Sequence, residues 1–117
     1  MIAIINYGMG NLCSVANAFA KLGVETLITD DPKEITSAKG VILPGVGAFK
    51  DAINCLRSRG LDKVVIDCAQ SGIPLLGICL GFHMLFSVSY ENGEYQGLDI
   101  FPGKVKRLPG SVKVPHM

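Results

Sequence analysis

Short apolar runs rich in Val and Ile alternate along this chain with stretches whose apolar residues recur every three or four positions. That alternation leaves few folds open, because strands separated by crossover helices pair side by side in parallel. Residues 2–7 form the first run and end in Tyr7-Gly8-Met9-Gly10-Asn11, a tight turn. Leu12, Val15, Ala16, Phe19 and Leu22 then make a helical stripe that stops at Gly23, a glycine cap. Residues 24–29 are a second strand, and Asp30-Asp31-Pro32 opens a short helix over 32–38. The third strand, 41–44, is closed by Gly45-Val46-Gly47. A helix over 48–58 buries Phe49, Ala52, Ile53 and Leu56, and after Gly60 another carries Leu61, Val64, Val65 and Cys68 on one face.

The next segment, residues 74–86, begins as an uncharged apolar run and continues with apolar residues at helical spacing, a buried strand handing over to a helix. At the junction stands Gly77-Ile78-Cys79-Leu80-Gly81, a thiol with glycine two residues to either side. This is the logic of a nucleophile elbow, in which a sharp strand-to-helix turn holds the nucleophile in strained backbone geometry and small neighbours let the chains cross closely. At such a turn the helix end favours the thiolate. The Leu80 amide is then expected to point at the oxyanion formed when Cys79 attacks a carbonyl, with a second amide supplied by the Gly45-Val46-Gly47 loop of a neighbouring strand.

The whole pattern predicts one α/β domain over residues 1–117: a doubly wound, flavodoxin-like, mostly parallel sheet with helices on both faces. Its ligand site belongs at the carboxyl ends of the strands, where Gly8, Gly10, Gly45, Gly47 and Cys79 fall. After 86 the polar stretch 87–96 ends the alternation. Strand-like pieces at 97–101, 104–108 and 111–114 follow, broken by Pro102-Gly103 and Pro109-Gly110, and read as hairpins.

Composition narrows the function classes. With 49% hydrophobic residues and a formal charge of +1, the chain carries neither a disorder signature nor a nucleic-acid footprint. The one basic group, Lys104, Lys106 and Arg107, reads as a solvated strand face. The longest apolar run is too short to span a bilayer, and the start lacks the basic region of a secretory signal, so a cytoplasmic protein without membrane contact is expected. The cysteines at 13, 55, 68 and 79 form no C-x-x-C pair, and no histidine stands at ligand spacing. They suit a reducing compartment and predict no metal site and no cofactor.

Gly77-Ile78-Cys79-Leu80-Gly81, Pro44-Gly45-Val46-Gly47-Ala48-Phe49 and Asn6-Tyr7-Gly8-Met9-Gly10-Asn11-Leu12 resemble the class I glutamine amidotransferases, and within them the glutaminase subunits of imidazole glycerol phosphate synthase. Pro102-Gly103-Lys104-Val105 and the terminal Val114-Pro115-His116-Met117 are similar as well. The resemblance implies hydrolysis of glutamine to glutamate and ammonia by a Cys-His-Glu triad, with ammonia passed to a (β/α)8-barrel cyclase in a heterodimer that serves histidine biosynthesis. It implies Cys79 as nucleophile and the amides of Gly47 and Leu80 as oxyanion donors. It further implies Val46, Gly81 and His83 around the substrate, with Val46 on the segment that adjusts to form the hole. Tyr7, Gly8, Met9, Gly10, Asn11, Pro115, His116 and Met117 are implied to lie near the cyclase interface. The family's usual glutamine is replaced here by His83, and its catalytic His and Glu lie downstream of the Pro-His-Met segment, so a partial domain is expected. Of the two histidines, His83 is expected to point away from the elbow and His116 sits at a terminus, so neither is a well-placed base.

Three other readings compete. Gly8, Gly10 and Asp30 match a dinucleotide-binding pattern, although Cys13 stands where the third glycine belongs. A redox protein would need an acid or histidine beside Cys79, and the nearest preceding acid is Asp67. A fragment that docks on the barrel without catalysis is the remaining alternative.

Overall fold

The computed structural model describes residues 1–9, 11–89 and 94–105. Strands β1 (Ile2–Ile5), β2 (Thr26–Thr29), β3 (Gly40–Leu43) and β4 (Leu75–Gly77) form one parallel sheet in the order β2-β1-β3-β4. Helices α1 (Leu12–Lys21), α2 (Pro32–Thr36), α3 (Phe49–Ser58) and α4 (Leu61–Gln70) connect them. A short α5 (Leu80–His83) leaves β4, and β5 (Phe86–Ser89), β6 (Tyr95–Gln96) and β7 (Phe101–Val105) make a second, small sheet in the order β6-β5-β7. The alternation therefore produces the doubly wound parallel sheet it predicts.

Successive strand residues point to opposite faces. Ala3, Ile5, Val41 and Leu43 point to one face, where they meet Ile35 of α2, Ile53 and Leu56 of α3 and Val65 and Cys68 of α4 in a single buried cluster. These helices arise where the apolar period places them. Asp31 caps α2 by accepting the Lys33 amide proton at 2.9 Å, and Pro32 occupies the first turn, where a missing N–H costs nothing. Gly60, at φ +69, turns α3 directly into α4.

The opposite face carries α1, and it is covered less completely. Ile4 and Ile42 are buried there, but Leu76 is 49% exposed and α1 contributes no fully buried residue. Phe19 of α1, Ile2, Ile42 and Leu76 line an apolar cavity of about 180 Å³ between helix and sheet. Helices lie on both faces as expected, with unequal weight.

Several expectations change. The helix after the elbow stops at His83 instead of running to 86, and Phe86 starts a strand. The amides of Leu98 and Ile100 donate to the carbonyls of Met84 (2.7 Å) and Leu85 (2.9 Å), which draws the chain out of the helix and into the small sheet. The apolar spacing here reports burial of Met84 and Leu85 in a turn, not a helical face. The pieces after 97 are not a simple run of hairpins. β5 pairs antiparallel with β6 but parallel with β7, and β7 runs through Pro102-Gly103 with a register shift between Phe86 and Val88. Proline is tolerated because β7 lies at the sheet edge. The second strand begins at Thr26, not Val24. The pieces expected at 106–108 and 111–114, with Lys106 and Arg107, lie outside the described residues.

Truncation separates the two faces of the sheet. Ile53→Ala, in the closed cluster, is expected to lose about 2–5 kcal/mol of unfolding free energy in urea, whereas Leu76→Lys on the open face should stay within about 0.5 kcal/mol of the parent.

Candidate active site

The site is built where β3 and β4 end side by side. Their parallel pairing sets Leu43 opposite Gly77, and the Ile78 amide extends the ladder by donating to the Leu43 carbonyl at 3.0 Å. One residue later the chain breaks into α5 through Cys79, whose φ of +55 and ψ of −121 lie where side chains are strained. The close crossing explains the glycines. A Cβ on Gly81 would stand 1.9 Å from the Leu43 carbonyl oxygen, and one on Gly77 would stand 2.6 Å from the Phe82 Cα. Gly81 thus serves the crossing of the elbow over β3, and it is buried.

Cys79 is exposed, and it shares a cavity of about 330 Å³ with Gly45, Val46, Gly47, Leu80 and His83. Glycine at 47, with φ +88, points its hydrogen toward the Met9 side chain, whose terminal methyl would lie 3.7 Å from an added Cβ. Val46 is exposed at the mouth. A second, largely apolar cavity, also bordered by Gly45, Val46 and Cys79, extends along α1 past Asn11, Ser14, Val15 and Phe19. No sequence motif announces that cavity; only the packing of α1 beside the elbow creates it.

His83, expected to point away from the elbow, is half-buried and among the residues that border the cavity onto which Cys79 opens. One expected feature comes out differently. The Leu80 amide is not open to a ligand in this arrangement, because it donates to the Gly45 carbonyl at 3.2 Å. The loop after β3 runs so close to the elbow that its carbonyl takes the nearest donor. Of the segment expected near a partner, Gly8 and Asn11 are exposed and Met9 half-buried, whereas Tyr7 is wholly buried and its hydroxyl donates to the Pro44 carbonyl. Gly10, Pro115, His116 and Met117 lie outside the described residues.

The other cysteines have different surroundings. Cys68 is buried in the core, and desolvation pushes its thiol pKa up, with the Asp67 carboxylate adding to the rise. Cys13 is exposed on α1 and Cys55 half-buried on α3. Asp30 stands exposed just past β2, and the guanidinium of Arg59 packs on Gly8, within 3.0 Å of where a Cβ would sit. Among the described residues no group of His, Cys, Asp and Glu is placed to hold a metal, and no helix is long and apolar enough to cross a membrane.

Burial pushes the Tyr7 phenol up to about 12 from its ordinary 10.0, with the Cys55 thiol a smaller contributor. A raised acid binds its proton more tightly in the folded state, so its stabilising contribution is complete below pH 10 and is lost as pH rises toward 12. Alkaline unfolding of the parent should therefore show a loss over that window that Tyr7→Phe lacks, read from urea midpoints at pH 9, 10 and 11. Gly81→Ala should abolish the elbow packing, lowering the thermal midpoint by several degrees for a loss of about 2 kcal/mol or more.

Comparison with known proteins points to one family. A family model described as the CobB/CobQ-like glutamine amidotransferase domain matches residues 3–112. The imidazole glycerol phosphate synthase subunit HisH of Moorella thermoacetica is 60% identical over 116 residues, an overlap of 99% of this chain and 55% of that relative. The same subunit of a Geobacillus species is 54% identical over 123 residues, covering 100% of this chain and 58% of the relative. A crystal structure of a glutamine amidotransferase superposes on 92% of this chain and 57% of its own with a TM-score of 0.76, and at 21% identity it speaks for the fold alone. The chain spans a little over half the length of the curated relatives it matches. Because that family model runs through both the glycine-rich loops and the cysteine elbow, this chain belongs to the CobB/CobQ-like glutamine amidotransferase domain family.

Proposed function

We propose that this chain carries the nucleophile half of a glutaminase, in which the Cys79 thiolate attacks the side-chain carboxamide of glutamine. The S–C bond forms as the carbonyl oxygen takes the negative charge. Collapse breaks the C–N bond as the leaving nitrogen takes up a proton and departs as ammonia, and water then hydrolyses the thioester to glutamate and free thiol. The single observation that carries the reading is the strained, exposed Cys79 at the end of β4, facing a cavity walled by the Gly45-Val46-Gly47 loop. A cysteine that served only packing would be expected in the interior, as Cys68 is.

In this reading the Gly47 and Leu80 amides receive the oxyanion, which requires the Gly45–Val46 peptide to turn and release the Leu80 N–H. Val46, Gly81 and His83 border the bound glutamine, and the half-buried His83 has room to donate or accept at the cavity wall. The base that takes the thiol proton and returns it to the leaving nitrogen lies, in the family this chain resembles, downstream of the Pro-His-Met segment. The ammonia passes to a (β/α)8-barrel cyclase subunit in histidine biosynthesis, in the cytoplasm. Gly8, Met9 and Asn11 stand on the rim that this partner would meet, Met9 beside Gly47. Support for the pathway comes from the relatives, which are subunits of imidazole glycerol phosphate synthase.

A glutamine-shaped diazoketone tests the reading. It should add once per chain, on Cys79, be slowed by free glutamine and be absent from Cys79→Ser; label on Cys13 or Cys55, or labelling indifferent to glutamine, would overturn it. A polypeptide of these 117 residues should show little or no glutamine turnover, even when mixed with the cyclase barrel. Turnover at the level of a full-length relative would refute the assignment of the base to residues outside it.

A further inference from the structure

Three successive carbonyls carry β3 into the loop beside Cys79, and each is held by a different donor. The Leu43 carbonyl accepts from the Ile78 amide at 3.0 Å, the Pro44 carbonyl from the Tyr7 hydroxyl at 2.5 Å, and the Gly45 carbonyl from the Leu80 amide at 3.2 Å. The first and third donors belong to the elbow. The second is a side chain from the end of β1, 37 residues away along the chain, and it is wholly buried. A phenylalanine would fill the same space without bringing a hydroxyl that must be desolvated, so the oxygen is there for its bond. It also crowds Gly45, where an added Cβ would lie 2.9 Å from the Tyr7 oxygen and 2.7 Å from the Gly81 nitrogen. Tyr7, Gly45 and the start of α5 are thus packed at one point beneath the loop.

We propose that Tyr7 is a positioning residue for the acyl-transfer site: by fixing the Pro44 carbonyl it confines movement of the loop to the Gly45–Gly47 peptides, so that a turn there can bring the Gly47 and Leu80 amides to one point beside Cys79. This rests on the glutaminase reading and adds a wholly buried residue that is not among those lining the cavity. With Pro44 pinned, a turn of the next peptide frees the Leu80 N–H without dragging β3 along. Without the pin, the same turn is shared with Pro44 and the two amides lose their common focus. Burial keeps the phenol protonated well above neutral pH, so the donor is present wherever a thiolate enzyme would work.

Site-resolved amide hydrogen exchange on the full chain, parent against Tyr7→Phe, reads this directly. Exchange at Leu80 is expected to quicken about three- to tenfold, the span of one lost hydrogen bond. Amides in the β1–β3 ladder, such as Ile4 and Ile42, should stay within about twofold. An unchanged Leu80, or an equal rise at every amide, would overturn the proposal, the latter because a merely structural tyrosine loosens the whole fold. If Tyr7→Phe does not fold, replacing tyrosine by 3-fluorotyrosine keeps the ring and sharpens the donor; slower Leu80 exchange supports the pin and no change refutes it. The diazoketone label separates this from the underlying function. Tyr7→Phe should slow diazoketone addition at Cys79 about threefold or more while leaving iodoacetamide alkylation unchanged, and equal rates with both reagents count against positioning. If the parent's Cys79 ignores the diazoketone, the glutaminase reading fails, and the exchange data still decide whether Tyr7 holds the loop.

Discussion

The pairing of β3 with β4 is the constraint from which the site follows. Only neighbouring parallel strands that end at the same level deliver two loops to one point, and the register Leu43 opposite Gly77 puts the valine of one loop and the cysteine of the next around a single cavity. The crossing is tight enough that the Gly81 hydrogen points at the Leu43 carbonyl with no room for a methyl group. Backbone approach of this kind is specified by the absence of side chains, which is why glycine stands at 45, 77 and 81. The strain at Cys79 is sustained because the strand before it and the helix after it are both anchored to β3.

The same closeness sets the resting state. Carbonyls at the end of β3 must find donors, and the one at Gly45 takes the Leu80 amide, which an acyl-transfer site would aim at a substrate. A site that satisfies its own donors when empty avoids leaving buried polar groups unpaired, but binding must then supply the free energy to exchange Gly45 for a ligand oxygen. Two residues from beyond β1 touch the same loop: Tyr7 holds the Pro44 carbonyl and the Met9 side chain lies beside Gly47.

Much of this was legible in the sequence, for particular reasons. Phe49, Ala52, Ile53 and Leu56, then Leu61, Val64, Val65 and Cys68, repeat with helical period because they face one closed core, and all are buried. The elbow was legible because glycine, cysteine and glycine at that spacing answer a steric demand local to a few residues. The α1 stripe predicted a helix but not its depth, since burial depends on what lies across the sheet, and Phe19 remains only half-buried. The helix expected past His83 failed because backbone donors from 98 and 100 capture Met84 and Leu85, a long-range contact that periodicity does not encode. Tyr7 was legible as a turn residue; its bond to Pro44 was not, because nothing in a sequence ties two positions so far apart.

The outer side of β4 has a further consequence. Among the described residues no strand lies beyond it, so its backbone donors and acceptors face outward beside Leu76, with Ile28 and Val46 also uncovered on the sheet and its rim. Those three residues carry no lysine, proline or bulge, the devices that blunt a strand edge, so an extended segment laid along them in register would continue the parallel ladder that already joins β3 to β4.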